Sequence, residues 1–270
     1  MSYISEENIK NIIKEYEHDL VSCSYLSQKY NYSKTSILRL LKRNNISIRD
    51  NNFYKTNKHN LHYFDKIDTS DKSYWLGFLY ADGCISKNTI SIKLSEKDIS
   101  HLLKFKNSLD SENKIFVGTN KNGYGKGNSF CQFAITNKEL AETLISYGVF
   151  RNKSKTLEYP NIDEIFFKDF IRGYFDGDGS VYYYIGKKYN YIYSSISFTG
   201  TKNLLEWILK VIPIQTNCKI HKYKNKNIYD LKIGGTNKVK EFYNYIYENS
   251  ELYLDRKKNK FEEIFKLYNI

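Results

Sequence analysis

The hydrophobic and polar positions after residue 70 follow the same order twice. Each copy begins with a helical motif rich in small residues, followed by two alternating segments, a helical stretch, two more alternating segments and a final helical stretch. The alternating segments are predicted strands, and they lie within 84–94, 114–119, 129–136, 180–186, 191–200 and 218–233. Because the links within each strand pair are too short for a crossover, paired strands run antiparallel. We therefore predict an α+β fold with two pseudo-symmetric αββαββα halves, at 71–160 and 161–270.

Residues 1–48 show helical spacing instead of alternation. Apolar residues recur at helical intervals in three short segments, at 4–16, 23–29 and 33–43. Asn31 tolerates the left-handed backbone of a tight turn before the third segment, and Ser33 can cap its helix. This all-α arrangement resembles a helix-turn-helix DNA-binding domain, and a small helical bundle for protein contacts is the alternative. Polar side chains on the third helix are candidates for DNA contacts: Lys34, Thr35, Ser36, Arg39 and Lys42.

The connection between these regions, at 49–70, is predicted to be an extended basic linker. Its first part, RDNNFYKTNKHNLHYF at 49–64, has no hydrophobic period and is rich in asparagine with scattered basic residues. A stretch of about 16 residues spans at most about 55 Å. That length is enough to follow a DNA groove between two bound modules.

The composition narrows the class of protein. The net charge of +12 over 270 residues favours a polyanionic partner, most often nucleic acid, although a merely basic surface is the alternative. No stretch has the roughly 18 apolar residues of a membrane span, and the N-terminus lacks the apolar core of a secretory signal. The four cysteines are scattered, which favours reduced thiols over a disulfide frame or a zinc site. We expect an intracellular protein, cytoplasmic or in the host cell's DNA compartment, with no membrane partner.

The two small-residue motifs are WLGFLYADG at 75–83 and IRGYFDGDG at 171–179. In each motif small residues lie one helical turn apart, and small residues at i and i+4 let two helix backbones approach closely. The four positions of this helix interface are Gly77, Ala81, Gly173 and Gly177. If the two helices pack through these faces, the acids that follow, Asp82 and Asp178, emerge side by side at the C-terminal ends.

Such a pair of acids is electrostatically unfavourable. A carboxylate at a helix C-terminus opposes the helix dipole by about 0.3–1 kcal/mol. Two carboxylates about 5 Å apart repel by about 3 kcal/mol at an effective dielectric of 20. A bound hard divalent cation explains the arrangement, because Mg²⁺ takes carboxylate and carbonyl oxygens.

Two other interpretations of these motifs are a hairpin turn and a calcium loop. A single Asp-Gly is usually a hairpin turn. A calcium loop beginning at Asp176 is excluded, because Val181 and Lys187 stand where that loop needs glycine and glutamate.

Taken together, the two motifs resemble those of a single-chain LAGLIDADG homing endonuclease, and the resemblance covers about residues 63–270. It implies that the motif helices form the interface between the halves, and that the antiparallel sheets form a saddle over the DNA major groove. It also implies that Asp82 and Asp178 bind catalytic Mg²⁺ (or Mn²⁺), helped by the peptide carbonyls of Ala81 and Gly177. The implied activity is site-specific cleavage of double-stranded DNA across the minor groove, leaving short 3′ overhangs. A monomer suffices, no small-molecule cofactor is implied, and the cut promotes mobility of the protein's own gene. Some family members carry an N-terminal helix-turn-helix.

This chain departs from the family pattern in two respects. Tyr80 stands where the family often has an acid, while the second motif keeps Asp176. The family also uses a lysine in each half near the scissile phosphate. Alternation in NIYDLKI places Lys232 opposite to the core face, so it is our candidate for the second half, with a phosphate contact or a solvated surface residue as the alternative. The matching place in the first half holds Ala134, and Lys138 or Lys153 is left as a substitute.

Outward strand positions are candidates for DNA contacts. In TISIKLS the alternation leaves Ser91 and Lys93 outward, together with Thr89. In KIHKYKNK we predict that Lys222 and Lys224 point outward.

Two further functions use the same scaffold. One is a DNA-binding regulator that does not cleave, and the other is a maturase that helps an intron RNA to splice. Retention of both Asp82 and Asp178 favours the nuclease, because a non-cutting descendant needs neither. The helix-turn-helix favours double-stranded DNA over RNA as the partner.

Overall fold

The computed structural model describes residues 4–17, 21, 23–48, 59–123, 125–150, 156–186, 191–223 and 227–268. The chain divides into two compact units, at 1–57 and 58–270. Each unit has its own hydrophobic core. Within the described ranges, the helices are all too short or too polar to cross a membrane.

In its described residues the smaller unit has three helices: α1 (Glu6–Glu17), α2 (Cys23–Lys29) and α3 (Lys34–Arg43). Ile12, Leu26 and Ile37, one from each helix, meet in its fully buried core. Asn31 adopts the predicted left-handed backbone, with φ at 55°, in the turn before α3. The Ser33 side chain accepts a hydrogen bond from the backbone nitrogen of the residue three positions later, at 3.1 Å, and so fixes the start of α3.

The larger unit repeats one order of elements, and the α+β prediction is confirmed. The first copy is α4 (Ser70–Asp82), β1 (Gly83–Ser86), β2 (Thr89–Ser95), α5 (Ile99–Ser108), β3 (Phe116–Thr119), β4 (Ser129–Thr136) and α6 (Lys138–Ser146). The second copy is α7 (Phe167–Asp178), β5 (Ser180–Gly186), β6 (Tyr191–Gly200), α8 (Lys202–Val211), β7 (Ile220–Lys222), β8 (Tyr229–Gly234) and α9 (Thr236–Tyr247). A further helix, α10 (Asp255–Tyr268), follows the second copy and was not predicted.

The strands form two antiparallel four-stranded sheets with equivalent orders, β1-β2-β4-β3 and β5-β6-β8-β7. One face of each sheet packs against the hydrophobic core, as Ile92 in β2 and Leu231 in β8 illustrate. The other face alternates with these buried positions, and we call it the open face. The register places Ser91 opposite Ala134 and Ser197 opposite Lys232, so the two open faces can be compared position by position.

The two halves meet through α4 and α7. A Cβ added to Gly173 would lie 1.9 Å from the carbonyl oxygen of Tyr74, so the two backbones are in direct contact at this point. The buried core is continuous across the interface, because α4 and α7 residues from both halves belong to it. The predicted packing of the two small-residue motifs is confirmed.

The linker prediction was too long at its C-terminal end. Residues 59–69 belong to the larger unit, where Phe64 and Ile67 are buried in its core. The backbone nitrogen of Asn60 also donates to the carbonyl oxygen of Leu109 at 2.7 Å. Two isolated apolar residues in a polar stretch give no period, so the sequence pattern alone missed this packing. The rest of the predicted linker, at 49–58, lies outside the described residues.

Candidate active site

The C-terminal ends of α4 and α7 lie against each other. A Cβ added to Gly177 would lie 2.2 Å from the Ala81 Cβ and 3.4 Å from the Asp82 Oδ2. The Asp82 carboxylate, at the end of α4, is therefore next to the last turn of α7, which ends at Asp178. Asp82 is half-buried and Asp178 is exposed. The structure thus brings the first acid to the end of the helix that carries the second.

The atoms that could bind a metal ion at this seam are carboxylate and carbonyl oxygens. The last carbonyls of a helix have no partner within it, and those of Ala81 and Gly177 belong to this group. Two carboxylates and helix-end carbonyls suit Mg²⁺, which binds one or two carboxylates and keeps several waters. Within the part of the chain that the structure describes, no cluster of three or more His, Cys, Asp or Glu side chains is arranged to hold a metal. The residues present fit a hard, partly hydrated cation better than zinc.

Lys257, which the sequence reasoning missed, lies beside this seam. It comes from α10 and is 7% exposed. Its Nζ donates to the carbonyl oxygen of Phe175 at 3.0 Å and to that of Gly179. Burial lowers the pKa of Lys257 to about 8, and the nearby carboxylates, Asp82 and Asp178 among them, oppose this shift. A buried cation at the C-terminus of α7 interacts favourably with the helix dipole. It also offsets part of the repulsion between Asp82 and Asp178, for which the sequence analysis invoked only a bound metal.

The preceding acid of the second motif, Asp176, has a different role. It is fully buried, and its carboxylate accepts hydrogen bonds from the Tyr74 hydroxyl at 2.8 Å, the Tyr247 hydroxyl at 2.6 Å and the Leu254 backbone nitrogen at 2.7 Å. Burial raises the pKa of Asp176. With three donors inside the protein, Asp176 ties α7 to α4 and α9 and is not available to a ligand.

The equivalent residue of the first motif, Tyr80, is bonded within its own half. Its hydroxyl donates to the carbonyl oxygen of Tyr147. Burial raises the pKa of Tyr80, so the phenol stays protonated and keeps this donor. Tyr80, which stands where the LAGLIDADG motif often has an acid, therefore makes an internal hydrogen bond and does not affect the position of Asp82.

An open groove of about 920 Å³ begins at Asp82 and Gly177 and runs along the first sheet past Lys93. Asp98 and Arg256 line its wall, and the Arg256 Nε donates to both carboxylate oxygens of Asp98, at 3.0 and 2.9 Å. Because Asp98 precedes α5 and Arg256 lies on α10, this ion pair joins the two halves beside the groove. A continuous groove that starts at the acids can admit an extended ligand.

The predicted outward residues of the first sheet lie on its open face. Ser91 alternates with the buried residues of β2, and Lys93 is exposed. The Lys93 Nζ donates to Asn120 Oδ1 at 2.7 Å and lies 3.7 Å from the centre of the Phe130 ring. These contacts orient the ammonium group along the groove wall.

Lys232 also lies on an open face, but not at the seam. It is opposite Ser197, and Ser197 is opposite Ser180, which is the second residue after Asp178. Two strand spacings put Lys232 about 10 Å from Ser180. The corresponding row in the first sheet is Cys84, Ser91 and Ala134, which confirms that Ala134 is the counterpart of Lys232.

One strand prediction was wrong. Lys222 is exposed, but the register places it opposite Tyr229, with its Nζ 5.9 Å from the centre of that ring, so it lies on the core side of the sheet and not on the open face. His221, opposite Asp230, is the β7 residue on the open face. The pairing with β8 sets the face of this short edge strand, which its own alternation did not reveal.

The other candidate lysines are Lys138, Lys153 and Lys224. Lys224 lies outside the described residues, as does Lys153. Lys138 is the first residue of α6, with its Nζ 3.6 Å from Glu142 Oε1.

On α3, four of the five predicted DNA-contacting side chains are exposed: Lys34, Thr35, Arg39 and Lys42. Ser36 is half-buried, and its hydroxyl lies 2.9 Å from that of Ser33. The Ser36 hydroxyl is therefore engaged in the helix cap, and the exposed surface of α3 is mainly basic.

Residues 168–247 match the LAGLIDADG-like domain family. The fold is similar to that of the I-LtrWI LAGLIDADG homing endonuclease bound to target DNA, with a TM-score of 0.52, 14% identity, and coverage of 78% of this chain and 92% of that chain. A mutant of I-SmaMI gives a TM-score of 0.51 at 11% identity, over 73% of this chain and 91% of that chain. A stretch of 115 residues is 33% identical to the DNA-directed RNA polymerase subunit Rpo1C of Methanocaldococcus jannaschii. That stretch is 41% of this chain and spans 13% of the length of the subunit.

Proposed function

We propose that this chain, which carries a LAGLIDADG-like domain and has the fold of the LAGLIDADG homing endonucleases, is a site-specific, divalent-metal-dependent endonuclease acting on double-stranded DNA. The observation that carries the proposal is the position of Asp82 against Gly177, at the joined ends of α4 and α7. Close packing of glycine and alanine is what allows an acid of one half to reach the end of the other half's helix. Stability alone does not favour acids at such a place.

In this proposal Asp82 and Asp178 hold the cation, helped by the carbonyls of Ala81 and Gly177. A bound Mg²⁺ or Mn²⁺ supplies charge neutralisation at the scissile phosphate and activation of water. Lys257 acts as a positioning residue, because its two hydrogen bonds fix the end of α7 from which Asp178 emerges. Lys232 is proposed to contact a phosphate from the open face of the second sheet.

The two open faces are proposed to lie along the major groove. They carry polar and basic groups such as Ser91, Lys93 and Lys232, and the net charge of +12 favours a polyanion. The two faces differ in sequence, so one monomer suffices for an asymmetric target. We further propose that the chain cleaves across the minor groove and leaves short 3′ overhangs. The cut would promote mobility of the protein's own gene.

The smaller unit is proposed to be a helix-turn-helix DNA-binding domain within residues 1–48. The support is the left-handed turn at Asn31, the capped start of α3, and the exposed basic side chains on that helix such as Arg39 and Lys42. This unit would add affinity through phosphate and base contacts.

The experiment that tests the proposal is cleavage of a plasmid that contains the uninterrupted insertion site of the protein's own gene. We expect linear product with Mg²⁺ and none with EDTA. Asp82→Asn and Asp178→Asn should each abolish cleavage while retaining DNA binding in a gel-shift assay. Asp71→Asn, at the other end of α4, is the matched control and should cut normally. A wild-type protein that binds this DNA and never cuts it would establish the non-cleaving regulator instead.

A further inference from the structure

The open face of the second sheet carries a cluster of tyrosines beyond the acids. Tyr182 and Tyr184 on β5 are 55% and 49% exposed. The ring centres of Tyr182 and Tyr184 are 6.3 Å apart, and those of Tyr184 and Tyr193 are 5.3 Å apart. All three alternate in phase with Ser180 and Ser197, so they lie on the same face as Lys232. We call these three residues the tyrosine cluster.

The absence of a side chain at Gly234 leaves space for one ring of this cluster, that of Tyr193. A Cβ at Gly234 would lie 2.3 Å from the Tyr193 hydroxyl, so the ring of Tyr193 lies across β8. The Lys232 Nζ is 5.8 Å from the centre of the same ring. The cluster is therefore an ordered aromatic surface that continues the row from Asp178 through Ser180.

The open face of the first sheet carries phenylalanines in place of tyrosines: Phe116 is 61% exposed, and its ring centre lies 5.9 Å from that of Phe130. The position equivalent to Tyr182, counted from the acid of each motif, is Ser86. The two open faces therefore offer different chemistry to the two halves of a bound duplex. Adjacent, partly exposed tyrosines form the kind of amphipathic aromatic patch that marks binding surfaces, which favours a recognition role for the cluster.

The chemistry of the second sheet restricts what it can recognise. Arginine and lysine are the side chains that read guanine in the major groove. Residues 180–234 contain no arginine, and Lys232 on the open face is assigned above to a phosphate. Aromatic and other apolar groups instead contact the C5-methyl group of thymine. A surface of phenol rings with hydroxyl tips suits T·A and A·T pairs.

We propose that Tyr182, Tyr184 and Tyr193 recognise thymine methyl groups in the half of the target that lies under the second sheet. This inference rests on the proposed function as a DNA-binding enzyme. It assigns a base class to one half-site and makes the tyrosine cluster a determinant of specificity.

The strand geometry also predicts where these base pairs lie. Tyr182 and Tyr184 are four and six residues beyond Asp178, or about 13 and 20 Å along an extended strand. At 3.4 Å per base pair, this corresponds to about four to six base pairs from the cleaved position. The tyrosine cluster therefore predicts a T-rich segment at this distance on the side of the cut that the second sheet covers.

The first test selects bound sequences from random duplexes with the full chain carrying Asp178→Asn, followed by sequencing. A run of T·A or A·T pairs about four to six pairs from the centre, on the side bound by the second sheet, is the expected result. Tyr184→Arg in the same background should change the preference at one of these pairs to guanine. Tyr159→Arg is the matched control, since Tyr159 is 56% exposed but stacks on Trp207, away from the open face.

The second test replaces each thymine of the selected segment by uracil, which removes only the methyl group. Each replacement should weaken binding about fourfold, the value of one buried methyl-sized group. Tyr184→Phe, which keeps the ring, should remain sensitive to uracil, whereas Tyr184→Ser should lose that sensitivity. Melting curves of each variant establish that it is folded.

The outcomes separate the two proposals. If the wild-type chain selects no sequence and binds no duplex, both the proposed function and this inference are wrong. If it selects and cuts a site whose recognition is unchanged by Tyr182, Tyr184 and Tyr193 variants, the nuclease stands and the thymine inference is overturned. A selected segment of G·C pairs in this half-site overturns it equally.

Discussion

Gly77 packs against the carbonyl oxygen of Phe170, so closely that a Cβ on Gly77 would lie 2.0 Å from that oxygen. The nearest obstacle is backbone, so no side-chain rotation can relieve the contact. Gly77→Ala must therefore separate α4 from α7, and the helix ends that carry Asp82 and Asp178 would move with them.

We expect Gly77→Ala to reduce the free energy of unfolding by about 3 kcal/mol or more, the upper range for overpacking. Urea denaturation measures this change. Glu142→Ala, at an exposed position of α6, is the control and should change stability by no more than about 0.5 kcal/mol. A Gly77→Ala protein as stable as the wild type would show that the interface can widen without cost, and the seam would then not be fixed by packing.

The small-residue faces were predictable because they are local: one helical turn separates the members of each pair, and the motif occurs twice. Alternation likewise predicted which side of β2 carries Ser91 and Lys93. Lys257 was not predictable in this way. Its partners, Phe175 and Gly179, are about 80 residues earlier in the chain. Within DRKKNK no local pattern distinguishes the buried lysine from Lys258 and Lys260, which are partly exposed.

Edge strands show the same limit. The face of Lys222 depends on its pairing with β8, because a strand of three residues has too few positions for its own alternation to be decisive. A shift of one residue in register moves every side chain to the other face. Tertiary pairing thus supplied the information that the local pattern lacked.

The positive charge of Lys257 close to Asp82 and Asp178 affects how strongly these acids attract a cation. Lys257→Met keeps most of the side-chain volume and removes the charge. We expect the Mg²⁺ concentration for half-maximal cleavage to fall several-fold, because less positive charge opposes metal binding at the acids. Lys266→Met, at an exposed position on the same helix, is the control. A higher Mg²⁺ requirement in Lys257→Met would indicate that the hydrogen bonds of Lys257 matter more than its charge.

His101 makes the stability of the larger unit depend on pH. It is buried beside Trp75 and Phe78, with its Nε2 3.0 Å from the Tyr74 hydroxyl. Burial lowers the pKa of His101 to about 3, whereas the unfolded value is near 6.5. The stability supplied by the neutral ring is therefore complete above pH 6.5 and is lost as the pH falls toward 3.

Between pH 6.5 and 5 this effect removes about 2 kcal/mol of unfolding free energy. Urea denaturation across that range should show the decline in the wild type and a flatter profile in His101→Gln. His221→Gln, which changes an exposed histidine, should retain the decline. An unchanged pH profile in His101→Gln would assign the acid sensitivity to other groups.

The exposed basic side chains of α3 should contribute to DNA affinity mainly through phosphates. Each phosphate contact adds about 0.9 to the slope of log affinity against log salt concentration. Replacing both Arg39 and Lys42 by alanine should therefore weaken binding and lower the slope by about 2, as measured by fluorescence anisotropy of a labelled duplex between 50 and 200 mM salt. Lys10→Ala, an exposed lysine on α1, should leave the slope within about 0.3 of the wild-type value. If the double variant keeps the wild-type slope, α3 does not lie on DNA, and the smaller unit serves the protein-binding role that its three-helix pattern equally allows.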